Sequence, residues 1–507
     1  MGEAVCRYDL WGLRRHPNGV SARVTGVTMD TEERSKLSTN QKALKINLDQ
    51  MFYGTFAEIG AGQEVARWFF KVGAAAGTIA KSISAYDMAV SDAIYGHSKR
   101  YVSRERLQGM LDHEHALNLE RLQSTRRDST AFFAFANTVA ARNYQGTNEC
   151  HGWMGVKYQA HPRDDNSQII LHVRMLDPEN DLQADALGIV GVNLLYGAFF
   201  LHHKPEELLE SLLDNLSTKR IEIDMIEFSG IEYRYVDNRV MSLKLVQLGL
   251  SGAAMFGPSG EVLQPSEVLR KRPILVERGS FRPVTKVNID MINCAKERFG
   301  AEPEVEAGQV VELMEITMKN LLATGKIDLT DFLARADLLA AVGKIVLISD
   351  FFEYYRLAAY LARYTHAPIA LTMGASSVED LFKEEYYAGL EGGLLEAFGR
   401  LFTKDMRIYV YPLRDSATGE LITVQNLKMR ADLQHLYCYL VDRNRVRQLD
   451  NFDESFLHIF SRDVLRRIKD CDPSWETMVP AEIAGVIKQR RYFGYREAEV
   501  SDAPTAK

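Results

Sequence analysis

Short apolar runs that alternate with longer amphipathic segments dominate the chain. Runs at 55–60, 274–277, 345–349 and 369–373 are apolar or rich in β-branched residues, and turn-forming or charged residues follow them. Segments with apolar positions at helical spacing lie between many of these runs. Strands that alternate with helices are typical of βαβ units. The pattern therefore predicts an α/β fold with a largely parallel, Rossmann-like sheet.

Three stretches modify this prediction. The runs at 152–158 and 169–175 both favour strands, and the polar segment between them predicts an antiparallel hairpin at 152–175. Residues 431–495 carry apolar positions at helical spacing, which predicts a helical C-terminal portion. The same spacing predicts a helix over 310–322, and small residues predict a closely packed helix at 73–82.

The predicted organisation has four parts. A polar extension covers 1–39, an α/β half with the hairpin covers 40–220, a half of βα repeats covers 221–430, and the helical portion and tail cover 431–507. Because the charge character changes at Met29, we expect Met29 to be the natural start; an organelle-targeting peptide at 1–28 is the alternative. The two halves would meet in a cleft, and ligands of open parallel sheets bind beyond the carboxyl ends of the strands.

Composition narrows the class of protein. With 46% hydrophobic and 25% charged residues, the chain of 507 residues has enough apolar side chains to fold. The net charge of −7 argues against a nucleic-acid partner. We find no apolar run of the roughly 18 residues that a membrane span needs. We therefore expect a cytoplasmic protein with a small-molecule partner and no membrane partner, and the sequence leaves a homo-oligomer open.

The cysteines and histidines do not predict a metal site. Five cysteines are scattered along the chain without a CxxC pair, which suits a reducing compartment. His113 and His115 are two residues apart, so on a helix they point in different directions.

The segment 273–300, PILVERGSFRPVTKVNIDMINCAKERFG, carries the strongest candidate site. A buried strand leads to Gly279, which permits a tight turn, and Pro283 stiffens the loop before a predicted helix at 289–299. The free N–H groups and the positive end of the dipole at a helix start suit a phosphate. The segment therefore predicts a nucleotide or a phosphorylated metabolite as the ligand.

This loop resembles the first motif of nicotinate/nicotinamide mononucleotide adenylyltransferases, Gly-Ser-Phe-x-Pro-(Val/Ile)-(Thr/His)-x-x-His after a strand. The resemblance implies a nucleotidyltransferase that uses ATP and Mg²⁺ and acts on nicotinate or nicotinamide mononucleotide. The residues that it implies are Gly279, Ser280, Phe281 and Arg282 for cofactor binding and Thr285, Lys286 and Asn288 for catalysis. The whole chain also resembles a bacterial family that has no assigned activity.

Departures from the motif keep other functions open. Asn288 stands where the family has a histidine, so it supplies no positive charge to the phosphates, and we do not find the family's second motif. A non-catalytic scaffold or regulatory subunit with a nucleotide-binding-like fold is one alternative. Residues 58–62, Glu-Ile-Gly-Ala-Gly, resemble the glycine loop of S-adenosylmethionine-dependent methyltransferases, which is the other. Lys81, Arg282, Asp350 and Arg356 are further candidates for a phosphorylated ligand.

Overall fold

The computed structural model describes residues 36–126, 128–403, 405–415 and 417–497. The expected start at Met29, most of the predicted extension 1–39 and the last residues of the tail lie outside these ranges. The described residues from Leu37 onward belong to one unit. Its first helix begins at Thr39, inside the predicted extension, because the Ser38 hydroxyl accepts the N–H of Gln41 and forms a capping box.

Six strands form the first sheet, in the spatial order β2-β1-β3-β4-β5-β6. The pairs of β1 with β2 and β3 are parallel, and the remaining pairs are antiparallel. The predicted hairpin is the β4–β5 pair. The strands are β1 (Phe52–Gly60), β2 (Ile79–Ile83), β3 (Ala131–Ala140), β4 (His151–Tyr158), β5 (Ser167–Met175) and β6 (Ile221–Gly230).

Eight strands form the second sheet, in the order β16-β13-β12-β9-β10-β11-β7-β8. The six strands from β16 to β11 are parallel, and β7 and β8 pair antiparallel at one edge. A small antiparallel pair, β14–β15, stands apart. The strands are β7 (Ala253–Phe256), β8 (Val262–Leu263), β9 (Ile274–Arg278), β10 (Val311–Thr317), β11 (Ile345–Ser349), β12 (Ile369–Gly374), β13 (Arg407–Tyr411), β14 (Leu413–Arg414), β15 (Leu421–Ile422) and β16 (Val446–Gln448).

Helices connect the strands and cover both sheets. Those before β7 are α1 (Thr39–Leu48), α2 (Val65–Val72), α3 (Met88–Tyr95), α4 (Arg104–Arg126), α5 (Asn180–Phe200), α6 (Pro205–Ser211) and α7 (Asn238–Gln247). Those after it are α8 (Pro265–Leu269), α9 (Lys286–Gly300), α10 (Met318–Leu321), α11 (Leu329–Ala341), α12 (Tyr354–Leu361), α13 (Ala375–Leu381), α14 (Gly393–Leu401), α15 (Gln434–Asp442), α16 (Ser461–Lys469) and α17 (Ala481–Arg490). The predicted α/β fold with a largely parallel sheet, a hairpin and a helical C-terminal portion is confirmed.

Two expectations about elements were wrong. Residues 311–317 form β10 and only 318–321 form a helix, the short α10, where we expected one helix over 310–322; β10 is buried between β9 and β11, and apolar side chains cover both of its faces. Residues 73–82 form a short 3₁₀ turn and the edge strand β2, since main-chain pairing with β1 decides their structure. β6, with which the predicted second half begins, lies in the first sheet and pairs antiparallel with β5.

Helix α5 is the longest apolar segment and lies in the core. Its 21 residues are long and apolar enough to span a membrane, contrary to our reading of the sequence, but 78% of its most apolar window is buried within the protein. Its side chains belong to a hydrophobic cluster that also contains residues of both sheets, such as Phe133 and Leu275. This burial is what the core helix of a soluble protein shows.

Candidate functional site at the carboxyl edge of the second sheet

The strand order reverses direction between β9 and β12. From β9 the chain adds β10 and β11 on one side, and then returns to add β12, β13 and β16 on the other. Helix α9, which follows β9, packs into one hydrophobic cluster through Ile292 and Phe299, and α13, which follows β12, packs into another through Val378. The two connections therefore leave the same edge toward opposite faces. In doubly wound sheets such a switch point opens the crevice in which ligands bind.

The glycine loop lies at this switch point and packs against itself. The N–H of Gly279 donates to the carbonyl of Glu315 (3.1 Å), and the Asn320 side chain donates to the carbonyl of Gly279 (3.1 Å). Phe281 is buried and has φ of +47°. A Cβ added at Gly279 would lie 2.8 Å from the Phe281 ring. Glycine at 279 therefore makes room for an aromatic ring of the same loop.

Thr285 and Asn288, two of the residues predicted to be catalytic, bind each other. They form a capping box at the start of α9: the N–H and hydroxyl of Thr285 donate to Asn288 Oδ1 (3.0 and 2.9 Å), and the Asn288 N–H donates back to the Thr285 hydroxyl (3.5 Å). Asn288 Nδ2 also donates to Glu277 Oε1 (2.8 Å). These side chains hold the helix start in place, and their polar groups already have partners.

The other predicted residues differ in their surroundings. Arg282 Nε donates to Asp331 (2.5 Å), and Arg335 donates to the carbonyl of Ser280 (3.2 Å). The Nζ of Lys286 lies 5.6 Å from the centre of the Phe456 ring. Within the described ranges the side chains of Ser280 and Lys286 have no hydrogen-bond partner, so they are the members of the predicted set that a ligand would find available.

Glu277 is a site residue that the sequence analysis missed. It is fully buried near the end of β9, just before the loop. Burial raises the pKa of its carboxyl group to about 8. Its Oε2 has no hydrogen-bond partner in the described part of the chain, and neither has the hydroxyl of Thr372, which lies opposite Glu277 on β12. The sequence does carry a signal for this residue, because a glutamate stands at the end of the apolar run of β9. Two buried polar atoms without partners therefore lie at the β9–β12 boundary.

A cavity of about 210 Å³ opens at the same edge of the sheet. Its walls come from the ends of β9 and β10, the loop after β11, and α13 with the turn that follows it. The Nζ of Lys319 lies 3.6 Å from the centre of the Phe352 ring and 5.3 Å from that of Tyr386. The lining includes Arg278, Lys319, Phe352, Tyr354, Ser377 and Tyr386. The cavity thus combines aromatic rings, to which a planar ligand ring can pack, with the cations Arg278 and Lys319, and the acidic residues Glu353 and Asp380 also line it.

The glycine loop at 58–62 is closed by its own side chains. Both carboxylate oxygens of Glu58 accept main-chain N–H groups, from Val65 (3.0 Å) and Ala66 (3.1 Å), at the start of α2. A Cβ added at Gly62 would lie 2.2 Å from the side chain of Asn137. The glycine thus permits close packing of a loop whose acidic group caps a helix, and the geometry does not favour a methyltransferase site.

Each of the further cations is paired with an acidic side chain. Lys81 pairs with Glu114 in the first sheet, Arg282 pairs with Asp331, and Arg356 pairs with Glu353 at 3.4 Å. The described ranges contain no group of three or more His, Cys, Asp or Glu side chains that could hold a metal ion.

Comparison with known proteins gives only distant structural similarity. No protein-family model and no curated protein matches the chain. Among solved structures, the competence/damage inducible protein CihA of Agrobacterium tumefaciens is 15% identical, with a TM-score of 0.21 over 30% of this chain and 88% of that one. The competence-damaged protein (CinA) superfamily protein of Enterobacter cloacae is 12% identical, with a TM-score of 0.25 over 34% and 99%. That of Escherichia coli is 16% identical, with a TM-score of 0.23 over 31% and 90%. Similarity this low supports no inference about the site.

Proposed function

We propose that the protein binds a nucleotide or a phosphorylated metabolite at the carboxyl edge of the second sheet, in the cytoplasm. The observation that carries the proposal is the reversal of strand order between β9 and β12, which opens a crevice beside the glycine loop. A Cβ added at Gly374, at the end of β12, would meet no atom within 4 Å, so there is free space on this side of the crevice.

The groups around the crevice suit the two parts of such a ligand. Phe352 and Tyr386 supply aromatic surface for a base, and Lys319, whose Nζ lies over the Phe352 ring, supplies positive charge. Lys286 supplies a second cation, at the start of α9, where the helix dipole also favours an anion. The raised pKa of Glu277 keeps its carboxyl group protonated at neutral pH, so it adds no negative charge to the site.

Adenylyl transfer from ATP, with Mg²⁺, to nicotinate or nicotinamide mononucleotide is the sharper form of this proposal. The sequence of the glycine loop supports it, whereas the capping box of Thr285 and Asn288 supports binding without transfer. A histidine at 288 would match the family motif but would also lose the bonds from Thr285 to the Asn288 side chain and the hydrogen bond to Glu277. The non-catalytic nucleotide-binding scaffold is therefore the second candidate.

Thermal unfolding in the presence of ATP and Mg²⁺ tests the proposal. A ligand at 100 times its dissociation constant stabilises a protein by about 2.7 kcal/mol, so we expect a clear rise in the melting temperature. Lys319→Ala and Phe352→Ala should weaken this rise, while Lys428→Ala, at an exposed position on another part of the surface, should preserve it. A melting temperature that does not respond to ATP, to nicotinamide mononucleotide or to inorganic phosphate would refute the proposal.

Product analysis separates the two forms. Incubation with ATP, Mg²⁺ and nicotinamide mononucleotide should yield the dinucleotide and pyrophosphate if transfer occurs. Stabilisation by ATP without either product would retain the binding proposal and favour the scaffold.

A further inference from the structure

A chain of three hydrogen-bonded side chains crosses the first sheet, far in sequence from the glycine loop. His172 Nδ1 lies 2.6 Å from Asp224 Oδ1, and His172 Nε2 lies 3.0 Å from His151 Nδ1. Asp224 and His172 are each 1% exposed, and His151 is half-buried. Trp153 covers the middle of the chain, since its ring centre lies 4.9 Å from that of His172 in an edge-to-face arrangement. The chain therefore leads from a buried carboxylate to an accessible imidazole.

The local backbone directs Asp224 into this chain. The register between β5 and β6 shifts between His172 and Val173, so that Asp224 is the additional residue of a β-bulge. Bulges re-aim a side chain relative to its neighbours and are common beside active sites. Gln264 also contacts the pair: its Oε1 accepts from the Glu267 N–H, which directs its Nε2 to Asp224 Oδ2 (3.3 Å) and places it 3.2 Å from His172 Nδ1. Three separate segments thus position one carboxylate.

We assign the tautomers of both histidines from the hydrogen-bond distances. Asp224 Oδ1 lies closer to His172 Nδ1 (2.6 Å) than Gln264 Nε2 does (3.2 Å), so we place the proton of His172 on Nδ1, and its Nε2 then accepts. His151 must then donate from Nδ1, which leaves a lone pair on its Nε2. Burial and the neighbouring His172 lower the pKa of His151 to about 4, so the ring is neutral at pH 7. Within the described ranges no hydrogen bond engages Nε2 of His151.

We propose that Asp224, His172 and His151 form a proton relay in which His151 Nε2 is the general base of a second site that hydrolyses a small anionic ester. A water molecule at Nε2 gives its proton to that atom, and its oxygen adds to the ester carbonyl carbon. The Nδ1 proton of His151 passes to His172 Nε2, so the positive charge comes to rest on His172 beside the Asp224 carboxylate. The tetrahedral intermediate then expels the alcohol, which takes a proton from His151 as the relay returns, and the products are an acid and an alcohol.

The charge of the substrate follows from Arg100. Its positive charge acts on His151 and contributes to lowering the pKa of that residue, its side chain is exposed, and it has no ion-pair partner among the described residues. Arg174, opposite His151 in the β-ladder, is by contrast bound to Glu222 (2.6 Å) and Glu149 (3.3 Å). Arg100 is thus the cation available to an anionic substrate at Nε2.

Nitrogen chemical shifts of the full chain labelled with ¹⁵N-histidine test the relay directly. We expect both His151 and His172 to be protonated on Nδ1 and unprotonated on Nε2 at pH 7. In Asp224→Asn the Nδ1 proton of His172 loses its ionic acceptor, so its resonance should shift upfield. A wild-type protein with His151 protonated on Nε2 would overturn the proposal, because no lone pair would then face the substrate.

Hydrolysis of two matched probes tests the catalytic role. The probes are 4-acetoxybenzoate, which is anionic, and its neutral methyl ester. General-base catalysis contributes on the order of 10²-fold, so His151→Gln should lower the hydrolysis of both esters by about that factor, while Arg100→Ala should lower that of the anionic ester only. His203→Gln, at an exposed histidine outside the relay, is the control and should retain the wild-type rate.

The outcomes separate a catalytic role from a structural one. If the relay only stabilises the fold, His151→Gln will lower the melting temperature and leave both rates unchanged, which would overturn the proposal. The rate test uses His151→Gln, which alters a half-buried side chain, and does not depend on Asp224→Asn, which changes a buried one. None of these variants touches the second sheet's crevice, so a failure here is distinct from a failure of nucleotide binding.

Discussion

Arg278 on β9 binds Glu315 on β10 through two hydrogen bonds, of 2.7 and 3.0 Å. The same guanidinium donates to the carbonyls of Phe351 (2.8 Å) and Phe352 (2.6 Å) in the loop after β11, and the Ser349 hydroxyl donates to Glu315 (2.5 Å). One ion pair therefore ties the ends of three adjacent strands together. Because Phe352 lines the cavity, this network also positions a wall of the proposed binding site.

Removal of the Arg278 guanidinium should lower the free energy of unfolding by several kcal/mol. In Arg278→Ala the carboxylate of Glu315, whose side chain is fully buried, keeps only the hydroxyl of Ser349 as a side-chain partner. Loss of one partner of a buried pair typically costs about 3–5 kcal/mol, which we expect to measure as a loss in the free energy of unfolding by urea. Arg466→Ala, in an exposed pair with Asp463, is the control and should cost less than about 1 kcal/mol. Equal losses in the two variants would contradict this account.

The stability of the protein should depend on pH through Glu277. Its pKa is about 8 in the folded state and near the ordinary 4.5 in the unfolded state, so the folded state holds more protons between these values. Stability therefore falls as the pH rises from about 4.5 to 8, by about 1.4 kcal/mol for each unit of pKa difference that is traversed. Glu277→Gln removes this loss and retains an acceptor for Asn288. We expect the variant to melt higher than the wild type at pH 8, with a smaller difference at pH 5.

The control for Glu277 is another glutamate of the same region. Glu297→Gln changes an exposed side chain on α9 and should leave the pH dependence of the melting temperature as it is in the wild type. If Glu277→Gln melts below the wild type at pH 8, the carboxyl group is ionised in the folded state and has a favourable partner there.

Hydrophobic patterns predicted the strands that are apolar on both faces. They failed where main-chain pairing between strands decides the structure. The runs that became β9, β11 and β12 had a clear signal because buried parallel strands are almost continuously apolar. Around β10, however, Val311, Met314 and Met318 lie at helical spacing, so Glu315 was assigned to the wrong element and its contact with Arg278 could not be foreseen.

The candidate sites show the same limit. The glycine loop was found from its own residues, since a strand, Gly279 and a helix start are adjacent in sequence. His151 and His172 are 21 residues apart and His172 and Asp224 are 52 apart, and a shift of register brings Asp224 into line. Such a chain of side chains depends on strand order and on a bulge, which the sequence pattern does not encode locally.

Replacing Glu58 by glutamine should lower the stability of the protein, whereas replacing Glu277 by glutamine should raise it at pH 8. Both carboxyl groups have a raised pKa through burial, that of Glu58 being about 7. However, both oxygens of Glu58 accept main-chain N–H groups, from Val65 and Ala66, and an amide nitrogen cannot accept. Glu58→Gln should therefore leave one buried N–H group unsatisfied and cost about 1–3 kcal/mol in urea unfolding at pH 7. A neutral effect would show that the start of α2 does not need both oxygens.

The packing of helix α1 against the rest of the protein should depend on a buried lysine. Lys42 is 1% exposed, and its Nζ donates to Asp214 Oδ2 (2.7 Å) and Asn193 Oδ1 (2.8 Å). Lys42→Met fills a similar volume but removes the cation that lies 2.7 Å from the buried Asp214 carboxylate, so we expect a loss of about 3–5 kcal/mol in the free energy of unfolding. Lys45→Met, on the exposed face of the same helix, is the matched control and should have little effect.

A double variant separates the cost of burying Asp214 from the value of the ion pair. Replacing both charges, as Lys42→Met with Asp214→Leu, removes the buried carboxylate together with its cation and should recover much of the stability that Lys42→Met alone loses, since apolar substitutes for buried pairs are often neutral. Recovery in the double variant would identify desolvation of Asp214 as the cost in the single one. If the double variant is as unstable as the sum of the two single variants, the two side chains act independently, and the attachment of α1 does not rest on their pairing.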